Sequence, residues 1–238
     1  MMLAQWLPEK WKQAIRRRAG AVLMEDRLRN LRKGGFCPKR IIDAGAHRGA
    51  WTRVVKEVFP EAVVLMIEPM PECREELGKI TARWKDVRHR AALLGAEPGQ
   101  ARFAIEGTNS RMVAPGEKVP EGVQVLELPV ETLAEVGRQE GFGECDFLKM
   151  DLQGHELAVL AGAGPIFGAC EVIFLEVSWI RIGEVPLVSE VIRKMAEKKY
   201  VPYDVMNFNY RPLDRSLWQC DLIFVKESSA LLSSRTWC

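Results

Sequence analysis

Acidic side chains end three of the apolar segments that the sequence predicts as buried strands. Asp43 follows "RII", Glu68 follows "AVVLMI", and Asp151 follows "DFLKM". The carboxyl ends of parallel strands meet at one edge of an open sheet, and ligands bind there. We therefore expect these carboxylates to lie close together, where they suit a cationic ligand and a general base for proton transfer.

The segment "DAGAHRG", residues 43–49, joins the first of these strands directly to a helix. Gly45 lets the chain reverse tightly, and Gly49 lets the helix approach without a side chain in the way. Backbone N–H groups and a helix N-terminus face the ligand at such a turn. Ala46 and His47 stand where the dinucleotide fingerprint needs a second glycine, which counts against a nicotinamide or flavin cofactor.

The two acids beside this turn suggest which ligand it serves. Asp43 precedes the first glycine, where a carboxylate attracts a sulfonium and an α-ammonium group directly or through water. Glu68 ends the next strand, about 20 residues further on, where a carboxylate can accept both hydroxyls of a ribose. Together the acids and the turn predict binding of S-adenosylmethionine, although the turn alone would also be compatible with a purely structural role.

Candidates for catalysis stand in "KMDLQGHE", residues 149–156. Methyl transfer to a hydroxyl needs in-line positioning and a general base, and Asp151 is the first choice for that base. Lys149 lies on the same strand face, where it either serves the site or neutralises a neighbour. His155, with an ordinary pKa of about 6.5, suits base work, and Glu156 either reaches the site or is a helix N-terminal charge.

Oxygen-rich side chains near this segment leave metal dependence open. Asp151, His155, Glu156 and Glu176 could together hold magnesium or a related divalent ion. Their spacing is not diagnostic of a metal site, so no metal ligand is assigned.

The charge of the chain is divided between an N-terminal arm and the remaining body. Over the 238 residues the net charge is +2, but residues 1–40 hold 11 Lys/Arg against 3 Asp/Glu. Trp6 and Trp11 recur with aliphatic residues at helical spacing, so a basic amphipathic helical extension is predicted over residues 1–34. We expect it to pack on the domain or on a second subunit in a homodimer; contact with a membrane surface is the alternative. The acidic body predicts no nucleic-acid partner.

Alternating apolar strands and amphipathic helices predict an α/β fold, a doubly wound and mostly parallel sheet with a late antiparallel strand. Residues 35–228 form the predicted domain and residues 229–238 a tail. Residues 87–94 are predicted as one strand. Six cysteines without a C-x-x-C pair favour reduced thiols and the cytoplasm.

Seven segments in order, from about Gly35 to Lys226, carry a family resemblance: "IIDAGAHRGAWT", "MIEPMPE", "RAALLGAEPG", "LPVETLAEV", "FLKMDLQGHELAVLAGA", "FLEVS" and "CDLIFVK". The sequence resembles the FkbM-type methyltransferases, a branch of the class I enzymes that use S-adenosylmethionine. "LKMDLQGHELAVLAGA" is the most family-specific segment. The resemblance implies a Rossmann-like methyltransferase fold and methyl transfer, most often to a hydroxyl of a sugar or other secondary metabolite.

The resemblance also assigns cofactor contacts by position. They are Gly45, Ala46 and Gly49 in the turn, Glu68 at the ribose, Pro69 and Met70 beside the adenosyl group, and Ala91 and Ala92 near the adenine. His47 and Asp151 are expected contacts as well, although family members often have Asn at the position of His47 and a small or aromatic residue at that of His155. Asn109 and Ser110, in "EGTNSRM", could hydrogen-bond a polyol acceptor.

Two other functions remain open at this point. A nicotinamide-dependent oxidoreductase could use a similar sheet, but the middle glycine of its fingerprint is missing. A non-catalytic partner subunit could keep the fold, but it would be expected to lose the acids, and Asp43, Glu68, Asp151 and Glu156 are all present. The favoured hypothesis is therefore O-methylation of a small-molecule or glycan acceptor.

Overall fold

The computed structural model describes residues 23–183, 185–234 and 236, so Trp6, Trp11 and the rest of the predicted arm before residue 23 lie outside the described residues. The helices are α1 (Met24–Lys33), α2 (Ala50–Val58), α3 (Arg74–Arg83), α4 (Leu133–Glu140), α5 (Glu156–Ala161), α6 (Ile166–Ala169) and α7 (Val188–Glu197). The strands are β1 (Arg40–Ala44), β2 (Val63–Ile67), β3 (Val87–Arg90), β4 (Leu93–Gly95), β5 (Gly99–Ile105), β6 (Arg111–Met112), β7 (Gln124–Thr132), β8 (Phe147–Met150), β9 (Val172–Ser178), β10 (Tyr200–Tyr210) and β11 (Leu217–Lys226).

The main sheet has the strand order β10-β11-β9-β8-β1-β2-β3. The strands from β9 to β3 are parallel, whereas β11 runs antiparallel to β9 and pairs with β10 in an antiparallel hairpin. The prediction of a mostly parallel, Rossmann-like sheet with a late antiparallel strand is confirmed.

The central strands are apolar on both faces because both faces are covered by helices and loops. Ile42 and Leu148 belong to the core on one side of the sheet. Ile41 and Phe147, their neighbours along the same strands, belong to the core on the other side. A polar residue inside such a strand must therefore be buried with a partner, as Asp43 and Lys149 are.

A second sheet, with the order β4-β7-β5-β6, packs beside the main sheet. The prediction of one strand over residues 87–94 is wrong, because the chain leaves the main sheet after Arg90 and β4 pairs with β7 instead. Arg90 anchors this exit by donating two hydrogen bonds, of 2.8 and 3.0 Å, to the carboxylate of Glu131 on β7. Strand β10 was not predicted either, since Pro202 and nearby register shifts interrupt its alternation.

Helix α1 packs onto the domain through the residues that the structure describes. Leu28 and Leu31 are fully buried, and Arg27 forms a salt bridge of 3.3 Å with Asp204 on β10. This places the last turns of the predicted extension on the α2 side of the main sheet. Among the described residues, no helix is both long enough and apolar enough to span a bilayer.

Candidate functional site

A pocket opens at the carboxyl ends of β1, β2 and β8, and the second sheet forms its opposite wall. Its empty volume is about 740 Å³, including the open space at its mouth. The described lining residues are Gly45, His47, Ile67, Glu68, Pro69, Met70, Ala92, Leu93, Leu94, Phe103, Gly107, Thr108, Ser110, Met112, Asp151, Leu152, Gln153 and His155.

At two positions of the turn after β1, neighbouring atoms leave no room for a side chain larger than that of glycine. Gly45 has a φ of 72°, and a Cβ atom there would lie 1.9 Å from the carbonyl oxygen of Asp151. Gly49 also has a φ of 72°, and its Cβ would lie 2.2 Å from Cδ1 of Ile80 on α3. Gly45 thus lets the turn pack against the loop after β8, whereas Gly49 serves helix packing away from the pocket.

Glu68 presents a buried carboxylate to the pocket. Its Oε2 accepts a hydrogen bond of 2.7 Å from the backbone N–H of His47, and its Oε1 accepts one of 2.9 Å from that of Met70. Burial raises the pKa of Glu68, and these two N–H groups oppose the rise. Each oxygen keeps a second lone pair, so the carboxylate can still accept hydrogen bonds from ligand hydroxyls.

Asp43 and Lys149 lie behind the glycine turn, not in the pocket. Asp43 is fully buried, and its carboxylate accepts a hydrogen bond of 2.7 Å from the Thr52 hydroxyl and lies 3.0 Å from the Lys149 ammonium. Lys149 also donates a hydrogen bond of 2.7 Å to the carbonyl oxygen of Gly45. Alternation along β1 turns the Asp43 side chain towards Thr52 on α2, so it does not line the pocket, and its attraction of a cationic ligand, directly or through water, stays a prediction. The pair instead supports the turn.

Asp151 stands at the mouth of the pocket, and its side chain is 41% exposed. Its Oδ1 accepts a hydrogen bond of 2.9 Å from the side-chain amide of Gln153, which also donates one of 3.1 Å to Glu176. Gln219 donates a further bond of 3.0 Å to Glu176. Burial, and then the carboxylates of Asp151 and other neighbours, raise the pKa of Glu176 to about 9. The raised pKa favours the protonated form of Glu176, which carries no charge to repel Asp151.

His155, which precedes α5, lines the pocket, whereas Glu156, the first residue of α5, does not. Burial lowers the pKa of His155, so its imidazole is neutral at neutral pH. Glu156 is turned inwards, where its carboxylate accepts hydrogen bonds from the backbone N–H groups of Leu152 at 2.8 Å and Gly154 at 3.4 Å. Burial raises the pKa of Glu156 to about 7. Glu156 thus holds the loop after β8 and does not reach the pocket.

The suggested metal ligands do not converge. Within the described part of the chain, no group of three or more His, Cys, Asp or Glu side chains could hold a metal ion. Glu156 is engaged with loop backbone, and Glu176 accepts two amide hydrogen bonds.

The structure brings together most of the predicted contacts. Those that line the pocket are Gly45, His47, Glu68, Pro69, Met70, Ala92, Asp151, His155 and Ser110, and those that do not are Asp43, Ala46, Gly49, Ala91, Asn109, Lys149 and Glu156. Ala91 is exposed, whereas Ala92 beside it is buried. Sequence reasoning missed Phe103 and Met112, whose strands belong to the second sheet; their sequence carries no mark of a ligand.

The charge of the pocket decides which ligands it suits. No Lys or Arg occurs among its described lining residues, whereas Glu68 and Asp151 both face it. Burial also lowers the pKa of His47. Such a lining suits a cationic ligand, and its described residues include none of the Lys or Arg side chains that commonly bind phosphate groups.

Comparison with known proteins agrees with this arrangement. The sequence matches the family described as "Methyltransferase FkbM domain" over residues 43–202. No curated protein sequence matches the chain.

Among solved structures, the fold is similar to an FkbM methyltransferase from Methylobacillus flagellatus KT, with 16% identity, a TM-score of 0.50, and coverage of 77% of this chain and 43% of that one. The chain thus spans less than half the length of that protein. Precorrin-6y C5,15-methyltransferase from Geobacter metallireducens GS-15 has 11% identity, a TM-score of 0.46, and coverage of 85% and 88%. Aeropyrum pernix fibrillarin, solved with S-adenosyl-L-methionine bound, has 12% identity, a TM-score of 0.48, and coverage of 84% and 74%.

The family match extends over most of the chain and includes the glycine turn, the acid after β2 and the segment after β8. The mostly parallel sheet gives a Rossmann-like fold, similar to that of the FkbM methyltransferase structure from Methylobacillus flagellatus KT. This chain belongs to the FkbM methyltransferase domain family.

Proposed function

We propose that this protein is an S-adenosylmethionine-dependent O-methyltransferase that acts on a hydroxyl of a sugar, a glycan or a secondary metabolite. The observation that carries the proposal is one pocket in which Glu68 and Asp151 face the same space beside the Gly45 turn, with no Lys or Arg among the described lining residues. S-adenosylmethionine, when bound, supplies a methyl group activated by a sulfonium centre.

The cofactor fits the lining by charge and by chemistry. Glu68 keeps lone pairs for the ribose hydroxyls, while its hydrogen bonds from His47 and Met70 hold the carboxylate in place. Leu93 and Leu94 offer apolar surface for a purine. Ala46 and His47 argue against a nicotinamide cofactor, because its pyrophosphate needs a second glycine at that place in the turn.

Asp151 is proposed as the general base that takes the proton from the acceptor hydroxyl. Its carboxylate is partly exposed and lines the pocket. Thr108, Ser110 and Gln153 also line the pocket and can hydrogen-bond a polyhydroxylated acceptor. His155 adds a neutral imidazole at the same wall. We further propose a cytoplasmic location, because six cysteines without a C-x-x-C pair are typical of reduced thiols.

Calorimetry with S-adenosylmethionine, S-adenosylhomocysteine and NAD tests the cofactor assignment. We expect both adenosyl ligands to bind and NAD not to bind. Glu68→Ala should weaken binding of the adenosyl ligands by about 1–3 kcal/mol, the scale of lost charge-assisted hydrogen bonds. Glu61→Ala, an exposed acid before β2, is the matched control. Unchanged affinity in Glu68→Ala would remove that residue from the site.

Transfer of a tritiated methyl group to a panel of methyl glycosides tests the reaction and its base. Asp151→Asn should lower kcat by about 10²–10⁴-fold, the usual contribution of a positioned general base. Its affinity for S-adenosylhomocysteine should stay within about twofold of the wild type, since that ligand carries no sulfonium charge. Equal losses of turnover and of S-adenosylhomocysteine binding would show that Asp151 has a binding role only.

A further inference from the structure

The loop after β8 holds Gln153 in a backbone conformation that favours glycine. Its φ is 53°, and that of Gly154 is 99°. A side chain with a Cβ atom is strained there, whereas glycine is not and asparagine is tolerated better. Backbone strain of this kind persists where surrounding contacts over-determine it. Since glycine would fit this backbone without strain, the glutamine at this position indicates that its side chain makes a useful contact.

The Gln153 amide joins two carboxyl groups. Its Nε2 donates one hydrogen bond to Oδ1 of Asp151 at 2.9 Å and another to Oε2 of Glu176 at 3.1 Å. A primary amide has two N–H donors, and both are used here. Glu176 is itself held by Gln219 on β11 at 3.0 Å. The side-chain amide of Gln153 thus links the Asp151 carboxylate to Glu176 on β9.

Asp151 has few other means of keeping its orientation. Its side chain is 41% exposed, and its Oδ2 lies 3.9 Å from Nζ of Lys149. That distance is too long for a hydrogen bond. Within the part of the chain that the structure describes, Gln153 is the hydrogen-bond donor to this carboxylate.

The loop backbone is fixed separately from this amide contact. Glu156 accepts hydrogen bonds from the N–H groups on either side of Gln153, those of Leu152 and Gly154. The N–H of Asp151 donates to the carbonyl oxygen of Ala44 at 3.2 Å. Loss of the Gln153 side chain should therefore leave the loop in place and release only the Asp151 carboxylate.

We propose that Gln153 is a positioning residue, whose amide holds the Asp151 carboxylate towards the part of the pocket that receives the sulfonium and the acceptor hydroxyl. This inference rests on the proposed function, since it assigns a supporting role at the same site. The contact geometry carries it: a strained backbone, two satisfied amide donors, and a partly exposed carboxylate that this amide orients.

The affinities of S-adenosylmethionine and S-adenosylhomocysteine, compared by calorimetry, test the inference without knowledge of the acceptor. The two ligands differ by one methyl group and one positive charge, so their affinity ratio reports a fixed nearby carboxylate. Asp151→Asn should lower the preference for S-adenosylmethionine by about 5–10-fold. Gln153→Gly should lower it in the same direction by about 2–5-fold, because the carboxylate is present but no longer held.

Control variants separate this effect from backbone strain and folding. Lys199→Gly relieves a similar φ of 59° at the opposite end of the sheet, and should leave the affinity ratio unchanged. Gln153→Asn tolerates the left-handed backbone but is one methylene too short to bridge both carboxyl groups, so it should lie between the wild type and Gln153→Gly. It also keeps the test decisive if Gln153→Gly fails to fold.

Each result decides between the possibilities. If the wild type binds neither adenosyl ligand, the proposed function itself fails. If both ligands bind and Asp151→Asn changes their ratio, but Gln153→Gly and Gln153→Asn do not, the positioning role is overturned while the function stands. Equal weakening of both ligands in the Gln153 variants would indicate a structural role alone. An unchanged ratio in Asp151→Asn would also overturn the inference, because Asp151 would then lie away from the sulfonium.

Discussion

Replacing Lys149 by methionine should strongly destabilise the fold by leaving a buried charge without its partner. Lys149 is 4% exposed and Asp43 is fully buried, and their charged atoms are 3.0 Å apart. Lys149→Met keeps most of the side-chain volume but removes the ammonium. Asp43 then retains the hydrogen bond from the Thr52 hydroxyl, which does not neutralise a carboxylate. The carbonyl oxygen of Gly45 also loses a donor.

The magnitude follows from the cost of breaking a buried ion pair. Removing one partner of such a pair costs about 3–5 kcal/mol, mainly because the other charge stays buried and unpaired. For a chain of this size each kcal/mol lowers Tm by about 2–4 °C, so a decrease of about 6–20 °C is expected. Asp43→Asn/Lys149→Met removes both charges and should recover at least half of the loss, so the losses of the two single variants should not add.

Urea denaturation of the wild type, both single variants and the double variant gives the four free energies of unfolding that a double-mutant cycle needs. Lys85→Met, which changes an exposed lysine, is the control for loss of a surface charge. The reasoning is refuted if Lys149→Met loses less than about 1 kcal/mol, the range of an exposed salt bridge. Strictly additive losses in the double variant would also refute it, since the two charges would then be independent.

Two further predictions concern the turn and the buried acid. Gly45→Ala should lose more than about 3 kcal/mol of stability, because its Cβ would meet the Asp151 carbonyl oxygen at 1.9 Å. Gly116→Ala, with a φ of 79° and open space around it, should lose only about 1–2 kcal/mol, and equal losses in thermal melts would contradict this reading. Since the pKa of Glu176 is raised to about 9 from an ordinary 4.5, its contribution to stability is complete below pH 4.5 and is lost as pH rises through 9. Glu176→Gln should therefore flatten the fall in Tm between pH 5 and 9, and an unchanged pH profile would argue that Glu176 titrates normally.

The order of the elements and the location of the pocket could be predicted from the sequence, because local patterns determine them. Strands that are buried on both faces have continuous apolar sequences. The polar residues that follow them lie at the edge of the sheet where ligands bind. Glu68 and Asp151 were identified in this way, and both line the pocket. The turn at Gly45 was recognisable because a tight reversal between strand and helix requires glycine.

Other parts of the fold depend on partners that are distant in the chain. The second sheet could not be predicted, because a short apolar strand such as β4 can pair with either sheet. Its partner β7 lies more than thirty residues further on. The residues that β5 and β6 contribute to the pocket, Phe103 and Met112, therefore became visible only in the structure.

For the polar residues, the sequence predicts the position along the chain, whereas the role depends on the tertiary structure. Alternation along a strand showed that Lys149 and Asp151 share one face, but not that Lys149 is paired with Asp43 beneath the turn. The inward orientation of Glu156 and the bridge from Gln153 to Glu176 also depend on loops and strands that meet only in the folded chain. The sequence by itself determined which residue types stand at the ligand-binding edge of the sheet, because local periodicity carries that information. Tertiary structure alone decided which of them face the pocket and which support it, because partners distant in the chain direct the carboxylates of Asp43, Glu68 and Glu176.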